Sequence, residues 1–297
     1  MRTYRARSSA APAGVSRWRT AEPALRGIRA SPLPEIVEDM DREAGMTMRY
    51  PDLLGKVAVV TGGSGGIGSE TARVLAAQGM GVVVNGRDSG AVDAVVKSVE
   101  GTAIGLAADT TDFAAAEAMR METERQLGPV DVLAIFAGGG TGRPRPIDET
   151  SEEEWHATLD ANLTSAFLVV KSFLPGMRER GRGSVITMSS LAARTPTPAS
   201  AAYTAAKAGV VALTRQLAHE LGPYGIRVNC VAPSTIMTDR LEGRMPEEFR
   251  NRVLAEHPLG RLGTPLDVAE VTAFLASDAS SWLTGLTIDV AGGRWTP

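Results

Sequence analysis

The stretch GKVAVVTGGSGGIG, residues 55–68, decides the fold of this chain. Its first half is a short, mostly β-branched run that predicts a buried strand of a parallel sheet. The run ends in a cluster of glycines, and residues 69–78 then carry helix formers. Strand, glycine turn and helix in this order predict a dinucleotide-binding loop, because glycines let the backbone approach a pyrophosphate and the helix N-terminus offers it free N–H groups. An ordinary glycine-rich turn is the alternative interpretation.

A second pattern joins Tyr203, Lys207 and Ser190. Tyr203 and Lys207 lie four residues apart, so a helix would place the ammonium beside the phenol. A free phenol, with a pKa near ~10, is a poor acid or base at neutral pH, and a nearby cation lowers that pKa. A tuned phenol can pass a proton to or from a carbonyl oxygen, and a serine hydroxyl can hold the same oxygen. The alternative is a helix that buries its tyrosine and exposes its lysine.

These motifs resemble, in order and spacing, the short-chain dehydrogenase/reductase family and, within it, the 3-oxoacyl reductases. The pattern TGxxxGIG at residues 61–68 is followed by Asn162 and then by Ser190, Tyr203 and Lys207. Two later segments agree with the resemblance, which covers about residues 52–294. RVNCVAP at residues 227–233 is similar to the sixth strand and its cofactor turn, and DVAGG at residues 289–293 is similar to the last strand.

The resemblance implies an NAD(P)-dependent carbonyl reductase or secondary alcohol dehydrogenase. Tyr203 would be the general acid for carbonyl reduction, or the base for alcohol oxidation, and Lys207 would lower its pKa and hold the nicotinamide ribose. Ser190 would bond the substrate oxygen, with Ser189 as the alternative serine. Asn162 would bind a water that links the lysine to solvent, or would bend or cap its helix. The alternative function is a cofactor-binding regulatory protein with the same fold and little turnover.

Cofactor preference depends on the residues that follow the second predicted strand, residues 82–85. Enzymes that choose NAD place an acidic residue there, which bonds the ribose 2′-hydroxyl. This chain has Arg87 instead, and Asp88 is expected to cap the next helix. A guanidinium suits a 2′-phosphate, so NADP(H) is favoured over NAD(H). Gly65 argues against this, because NADP-dependent members of the family often have a basic residue there, and a solvated surface arginine is the alternative for Arg87.

The resemblance implies further cofactor contacts from several loops. The set comprises Gly62, Ser64, Gly65, Ile67 and Gly68 in the glycine loop, Asp109 and Thr110 beside the adenine, Ala137 and Gly138 below the adenosine ribose, Pro233, Ile236 and Thr238 near the carboxamide and pyrophosphate, and Tyr203 and Lys207 themselves. The chain departs from the family pattern at two places. Ile135 and Phe136 replace two asparagines, where apolar packing would have to tie the sheet together, and Ser234 replaces the glycine after the proline.

Strands and helices alternate from Val57 to Val290 with no clear linker, which predicts a single α/β domain over residues 51–297, a doubly wound (Rossmann) parallel sheet flanked by helices. Hydrophobic residues make up 43% of the chain, which is ample for a large core. The net charge of −3 argues against a nucleic-acid partner, and no apolar stretch approaches a membrane span. The three histidines are widely separated, so no metal site is expected. A single cysteine, Cys230, favours a reducing, cytoplasmic location.

The composition of residues 1–50 predicts a disordered N-terminal extension. Its first 29 residues contain seven arginines among alanine, serine and proline, with one acidic residue. Translated sequence upstream of a true start at Met46 or Met48 is one alternative. An organelle-targeting sequence is the other, because such segments are rich in arginine and serine and poor in acid.

The substrate and the oligomeric state are the least determined features. We expect a small-molecule ketone or alcohol beneath a mobile lid over residues 237–262, whose mixed charges are more typical of solvated helices than of an anion site. Arg143 and Arg145 either reach the pocket mouth or lie in solvent. The resemblance implies a homotetramer, or a homodimer, that pairs the helix carrying Tyr203 and the preceding helix near residues 163–177.

Overall fold

Seven parallel strands form one sheet in the computed structural model, which describes residues 50–139, 146–243 and 245–295. The strands are β1 (Val57–Thr61), β2 (Gly81–Gly86), β3 (Ala103–Ala107), β4 (Val132–Ile135), β5 (Gly183–Met188), β6 (Ile226–Pro233) and β7 (Thr287–Val290). Their order across the sheet is β3-β2-β1-β4-β5-β6-β7. The chain thus winds outward from β1 in one direction and from β4 in the other, which confirms the predicted doubly wound sheet.

Helices cover both faces of this sheet. They are α1 (Gly66–Ala77), α2 (Ser89–Lys97), α3 (Phe113–Gln126), α4 (Glu152–Leu159), α5 (Ser165–Arg180), α6 (Ala201–Leu221), α7 (Asp239–Glu242), α8 (Glu247–Ala255) and α9 (Pro265–Ala276). Apolar residues of α1, α2 and α9 form the core on one face, and those of α3, α5 and α6 form the core on the other.

Strand β1 shows why the sequence reads as a continuous apolar run. Ala58 and Val60 belong to the core under α1 and α9, whereas Val57 and Val59 belong to the core on the opposite face. Successive side chains of a strand point to opposite faces, so a strand covered on both faces needs apolar residues at every position. Full burial of each valine contributes about 1.5–3 kcal/mol, before the cost of ordering the chain.

The loops that follow β1 and β4 meet where the strand order reverses. Thr61 Oγ1 accepts hydrogen bonds from the backbone N–H groups of Phe136 and Ala137, both at 3.1 Å. Gly62 has φ 67°, and a Cβ there would lie 2.8 Å from the Phe136 carbonyl, so glycine is required. Doubly wound sheets bind their ligands in the crevice at this switch point.

The apolar pair at the end of β4 leaves the strand regular. Ile135 and Phe136 are buried on opposite faces of the sheet. β4 stays in parallel register with β1 and β5 up to Ile135. Apolar packing therefore replaces the asparagines of the family pattern.

Some predictions fall outside the described residues. They include Arg143, Arg145 and the extension at residues 1–49. The first described residue, Tyr50, is buried, and its N–H donates to Gln78 Oε1 at 2.8 Å. Within the described ranges, no helix is long and apolar enough to cross a membrane.

Candidate active site

Tyr203 and Ser190 meet at the carboxyl end of the sheet. Ser190 follows β5, and Tyr203 lies in the first turn of α6, where the Ser200 hydroxyl caps the helix by accepting the Tyr203 N–H at 3.2 Å. Burial raises the pKa of Tyr203, and a hydrogen bond with Ser190 opposes part of that rise. The phenol is therefore protonated at neutral pH and lies in the same cavity wall as the Ser190 hydroxyl.

Ser189, the alternative serine, is committed to another partner. Its buried hydroxyl donates to the Lys207 carbonyl at 2.8 Å. Ser190 Oγ instead accepts the Ala192 N–H at 3.2 Å and lies within reach of the phenol. The geometry therefore favours Ser190 as the serine that acts beside Tyr203.

Lys207 is buried behind the tyrosine ring. Its ammonium donates to the Met188 carbonyl at 2.9 Å and lies 5.7 Å from the centroid of the Tyr203 ring. Burial lowers the pKa of Lys207 to about 8. The expected lowering of the Tyr203 pKa by Lys207 is not found, because burial is the larger effect and raises that pKa. The physical reason is that burial disfavours the charged phenolate, while the ammonium is bonded to a backbone carbonyl.

Asn162 lies in a π-helical turn, Asp160–Thr164, between α4 and α5. Its Oδ1 accepts the Gly139 N–H at 2.9 Å, and its Nδ2 donates to the carbonyls of Gly139 and Thr158 at 3.1 and 2.9 Å. The residue therefore bends its helix, as one interpretation of the sequence required, and also fixes the loop after β4. Isolated π turns of this kind are frequent at functional sites. The water-binding role of Asn162 stays a prediction.

The glycine loop has a tight part and an open part. A Cβ at Gly68 would collide with the Gly62 carbonyl, whose carbon would lie 2.7 Å away, and a Cβ at Gly138 would lie 2.5 Å from Asn162 Oδ1. At Gly65 the backbone is extended, and a Cβ there would meet nothing within 4 Å. The side chain of Ser64 packs against Gly86 at the end of β2. Backbone alone fits the tight part, whereas the open part can take a side chain.

Arg87 and Asp109 share the rim of the crevice at the end of β2 and β3. Both side chains are exposed. Asp109 Oδ1 accepts the N–H and the hydroxyl of Thr111 at 2.9 and 2.8 Å, and these bonds, with a smaller effect of the Arg87 charge, lower the pKa of Asp109. Asp88 accepts the Ala91 N–H at 3.0 Å and caps α2, as predicted. Thr110, by contrast, is buried.

A cavity of about 510 Å³ opens beside Tyr203, within the usual size range of small-molecule sites. It joins the glycine loop, the end of β5, the loop after β6 and α7. The lining residues are Ile67, Met188, Ser189, Ser190, Tyr203, Pro233, Ser234, Ile236, Thr238, Arg240 and Leu241. The structure thus gathers the predicted catalytic residues Ser190 and Tyr203 with the predicted residues of the nicotinamide-side loop.

Sequence reasoning missed His257 as a support of that loop. Ser234 Oγ lies 2.9 Å from His257 Nε2, and His257 Nδ1 lies 2.7 Å from the Val253 carbonyl, which can only accept. Nδ1 is therefore the donor, and the buried imidazole joins the loop after β6 to α8. The signal available in the sequence was Ser234, a hydroxyl where the family has glycine.

No group of three His, Cys, Asp or Glu side chains in the described part of the chain is arranged to hold a metal ion. The reactive groups at this site are instead a phenol, an ammonium and hydroxyls. A glycine loop that admits a pyrophosphate, facing hydroxyls that can hold a carbonyl, defines the class of nicotinamide-dependent oxidoreductases.

Comparison with known proteins agrees with that class. A family model described as enoyl-(acyl carrier protein) reductase matches residues 62–294. The 3-oxoacyl-(acyl-carrier-protein) reductase of Vibrio cholerae serotype O1 is 36% identical over 244 residues, which is 82% of this chain and 99% of the relative.

Two solved structures are similar as well. One is a 3-oxoacyl-(acyl-carrier protein) reductase from Brucella melitensis, with TM-score 0.80 and 31% identity over 84% of this chain and 95% of that one. The other is a 7α-hydroxysteroid dehydrogenase in complex with NADH and 7-oxo glycochenodeoxycholic acid, with TM-score 0.78 and 33% identity over 83% of this chain and 96% of that one. The chain belongs to the short-chain dehydrogenase/reductase family, resembles its 3-oxoacyl reductases, and is an oxidoreductase that acts on CH–OH or ketone groups with NAD(P).

Proposed function

We propose that the protein is an NADP(H)-dependent carbonyl reductase in which Tyr203 is the general acid. The observation that carries the proposal is the phenol itself, which is half-buried, protonated at neutral pH and placed with Ser190 in the wall of a substrate-sized cavity. Tyr203 Oη gives its proton to the ketone oxygen while Ser190 Oγ holds that oxygen in place. Bound nicotinamide supplies the hydride that reduces the carbonyl carbon. Alcohol oxidation is the same step reversed, with the phenolate as base.

Lys207 and Asn162 support the acid from behind. The ammonium of Lys207, buried and held by the Met188 carbonyl, is placed to bind the nicotinamide ribose and to favour the phenolate that forms when the proton leaves. Asn162 fixes the loop after β4, which is expected to lie below the other ribose. The roles proposed for Lys207 and Asn162 rest on these hydrogen bonds, and they are tested together with the role of Tyr203 as the acid.

The crevice fits a dinucleotide at three positions. Gly62 and Gly68 pack against backbone atoms where a Cβ would collide, which fixes the tight turn before α1, and the N–H groups at the start of that helix are the donors that would bind a pyrophosphate. Arg87 at the rim is placed to pair with a 2′-phosphate, which supports NADP(H) over NAD(H). The carboxylate of Asp109 weakens the preference for NADP(H). It does not remove that preference, because the carboxylate already accepts two hydrogen bonds from Thr111.

The substrate is proposed to be a small ketone, or the corresponding alcohol. The relatives act, by their names, on a 3-oxoacyl group carried by a protein and on a steroid, so family membership leaves the substrate open. The cavity beside Tyr203 combines aliphatic walls with hydroxyl groups, which fits a carbonyl on an apolar body.

Self-association is part of the proposal, with a homotetramer or a homodimer as the assembly. A groove of about 530 Å³ between α5 and α6 is lined by Phe167, Leu174, Leu213 and Leu217, and Phe167 is 48% exposed. A second copy of this chain would cover that apolar surface. A cytoplasmic location is also proposed, because Cys230 is a free, buried thiol.

The test is to follow NADPH absorbance with a panel of 3-oxoacyl thioesters, oxo acids, steroid ketones and simple ketones, after measuring NADPH and NADH affinity by titration. Oxidation of NADPH that depends on one class of ketone supports the proposal. Tight NADPH binding without oxidation by any member of the panel contradicts it and favours a cofactor-binding regulatory protein. Light scattering of the same sample measures the oligomeric state, and a monomer would contradict the proposed assembly.

A further inference from the structure

The cavity beside Tyr203 is unbalanced in charge. Among its eleven lining residues, Arg240 is the only side chain that carries a full charge, and none is a carboxylate. The positive ammonium of Lys207 lies behind the tyrosine ring and adds to the same sign. A cavity with a cation and no acid in its wall raises the local concentration of anions.

The other described arginines of the lid, residues 237–262, have different surroundings from Arg240. Arg261 makes a bidentate ion pair with Asp267, with both distances 2.6 Å, and Arg252 stacks 5.1 Å from the Phe249 ring. Arg250 lines a separate cavity of about 350 Å³ that also contains Glu242 and Glu247. These arginines therefore have aromatic or acidic neighbours that account for them.

Among the residues that the structure describes, Arg240 has neither an ion pair, as Arg261 has, nor a ring contact, as Arg252 has, and unlike Arg250 it shares its cavity with no carboxylate. It is exposed on α7, where its guanidinium borders the same space as Ser190 and Tyr203. A guanidinium binds carboxylate and phosphate oxygens in bidentate, charge-assisted pairs, and it stays charged at every physiological pH. The described part of the protein thus leaves the hydrogen-bond donors of the Arg240 side chain unused, beside the cavity that contains Ser190 and Tyr203.

We propose that the substrate is an anionic ketone, whose carboxylate or phosphate is bound by Arg240 while its carbonyl oxygen lies at Tyr203 and Ser190. Arg240 is then the specificity-determining residue of the site. The proposal rests on the proposed reductase function, because it places the carbonyl at the same phenol. It names the acid group as the feature that selects the substrate among ketones of similar shape.

The experiment compares each acid with its uncharged counterpart. The carboxylate arm uses 4-oxopentanoate, 5-oxohexanoate and 6-oxoheptanoate with their methyl esters, which vary the distance from ketone to charge. The phosphate arm uses dihydroxyacetone phosphate with dihydroxyacetone. Calorimetry measures binding to the protein loaded with NADP⁺, where no reduction can occur, and NADPH absorbance measures kcat/KM.

At the best chain length, the acid should bind roughly tenfold or more tightly than its ester, as expected for a hydrogen bond to a charged partner. Arg240→Met should remove that difference. Arg250→Met, which removes an exposed arginine from the same lid, should keep it. If the preference for the acid depends on Arg240 in only one arm, the acid group of that arm, carboxylate or phosphate, is the one that the site binds.

Equal affinity of acid and neutral compound in both arms, including no binding of either, overturns the anion site. So does a preference that survives Arg240→Met. Failure of the reductase function looks different, because acid binding would depend on Arg240 although no compound oxidises NADPH. If esters and acids are reduced with the same kcat/KM by both proteins, the reductase stands and the anion site is wrong.

Discussion

The two ends of the site are built in opposite ways. At the catalytic end, Asn162 and Lys207 are buried and bonded to backbone carbonyls, and Tyr203 is raised in pKa by burial. At the ribose end, Arg87 is exposed and Gly65 faces open space. The catalytic end is therefore fixed by the same contacts that hold the sheet and helices together. At the ribose end, the exposed side chain of Arg87 and the open space at Gly65 take no part in such contacts.

This difference separates chemistry from selectivity. A change at Asn162 or Lys207 must disturb buried hydrogen bonds, so it costs stability and activity together. A change at the ribose end meets solvent, so cofactor preference can shift without loss of the fold. The glycine loop contains a tightly packed glycine, Gly68, and an open one, Gly65. Substitutions at these two positions therefore test the difference most directly.

Gly68→Ala should have the largest effect. The added methyl group would collide with the Gly62 carbonyl at the start of α1, and neither backbone segment can move without opening the crevice. We expect a loss of about 3 kcal/mol or more in the free energy of unfolding, together with loss of NADPH binding. Gly65→Ala is the control, and it should change stability by no more than about 0.5 kcal/mol. Denaturant titration of both variants measures this, and equal effects would contradict the division of the loop.

Asn162→Ala should come next. The substitution removes the side-chain partner of the N–H and carbonyl of Gly139, and it also removes a buried hydrogen bond to the Thr158 carbonyl. Stability should fall by about 2 kcal/mol, and kcat should fall with it. Asn162→Asp is the informative control, because it retains the acceptor for the Gly139 N–H and loses the donor. A variant with wild-type stability would show that the asparagine is dispensable for the loop.

Lys207 should make stability depend on pH. Its pKa is about 8 in the folded chain and 10.5 in an exposed lysine, so the unfolded chain binds more protons between these values. Stability contributed by this group therefore rises with pH, by about 2 kcal/mol between roughly pH 8 and pH 10. The free energy of unfolding of the wild type should rise relative to that of Lys207→Met over this range. Parallel curves for the two proteins would contradict the burial of a charged lysine.

Cofactor preference should show the smallest effect. Arg87→Gln should reduce the ratio of kcat/KM for NADPH over NADH roughly tenfold, because an exposed guanidinium–phosphate pair is modest. Gly65→Arg should raise the ratio, since the position has space for a side chain. Neither change should shift the melting temperature. A ratio that is near unity in the wild type would remove the basis for preferring NADP(H).

Local patterns made part of this molecule predictable. The run from Val57 through the glycine loop to α1 depends on neighbouring residues, and the helix that carries Tyr203 and Lys207 depends on its own spacing. The doubly wound sheet followed from the alternation of such units. The role of Asp88 as a helix cap was likewise a local property and is confirmed.

Contacts between distant segments were not predictable in the same way. The bonds of Lys207 to Met188, of Asn162 to Gly139 and of Ser234 to His257 join residues 19 to 23 positions apart on different elements. The predicted lowering of the Tyr203 pKa failed for the same reason. Helical spacing shows that Tyr203 and Lys207 are close together, but it does not show how far the phenol is buried or that the ammonium binds the Met188 carbonyl. The open space at Gly65 depends equally on what the rest of the fold leaves empty.

The most direct test of the account is Tyr203→Phe, measured for NADPH affinity and for turnover of a ketone identified with the wild type. The phenyl ring retains the packing and removes only the acid. We expect the Kd for NADPH to stay within about threefold, with kcat reduced by roughly 10²–10⁴. Turnover that survives in the folded, NADPH-binding variant would contradict the assignment of Tyr203 as the proton donor.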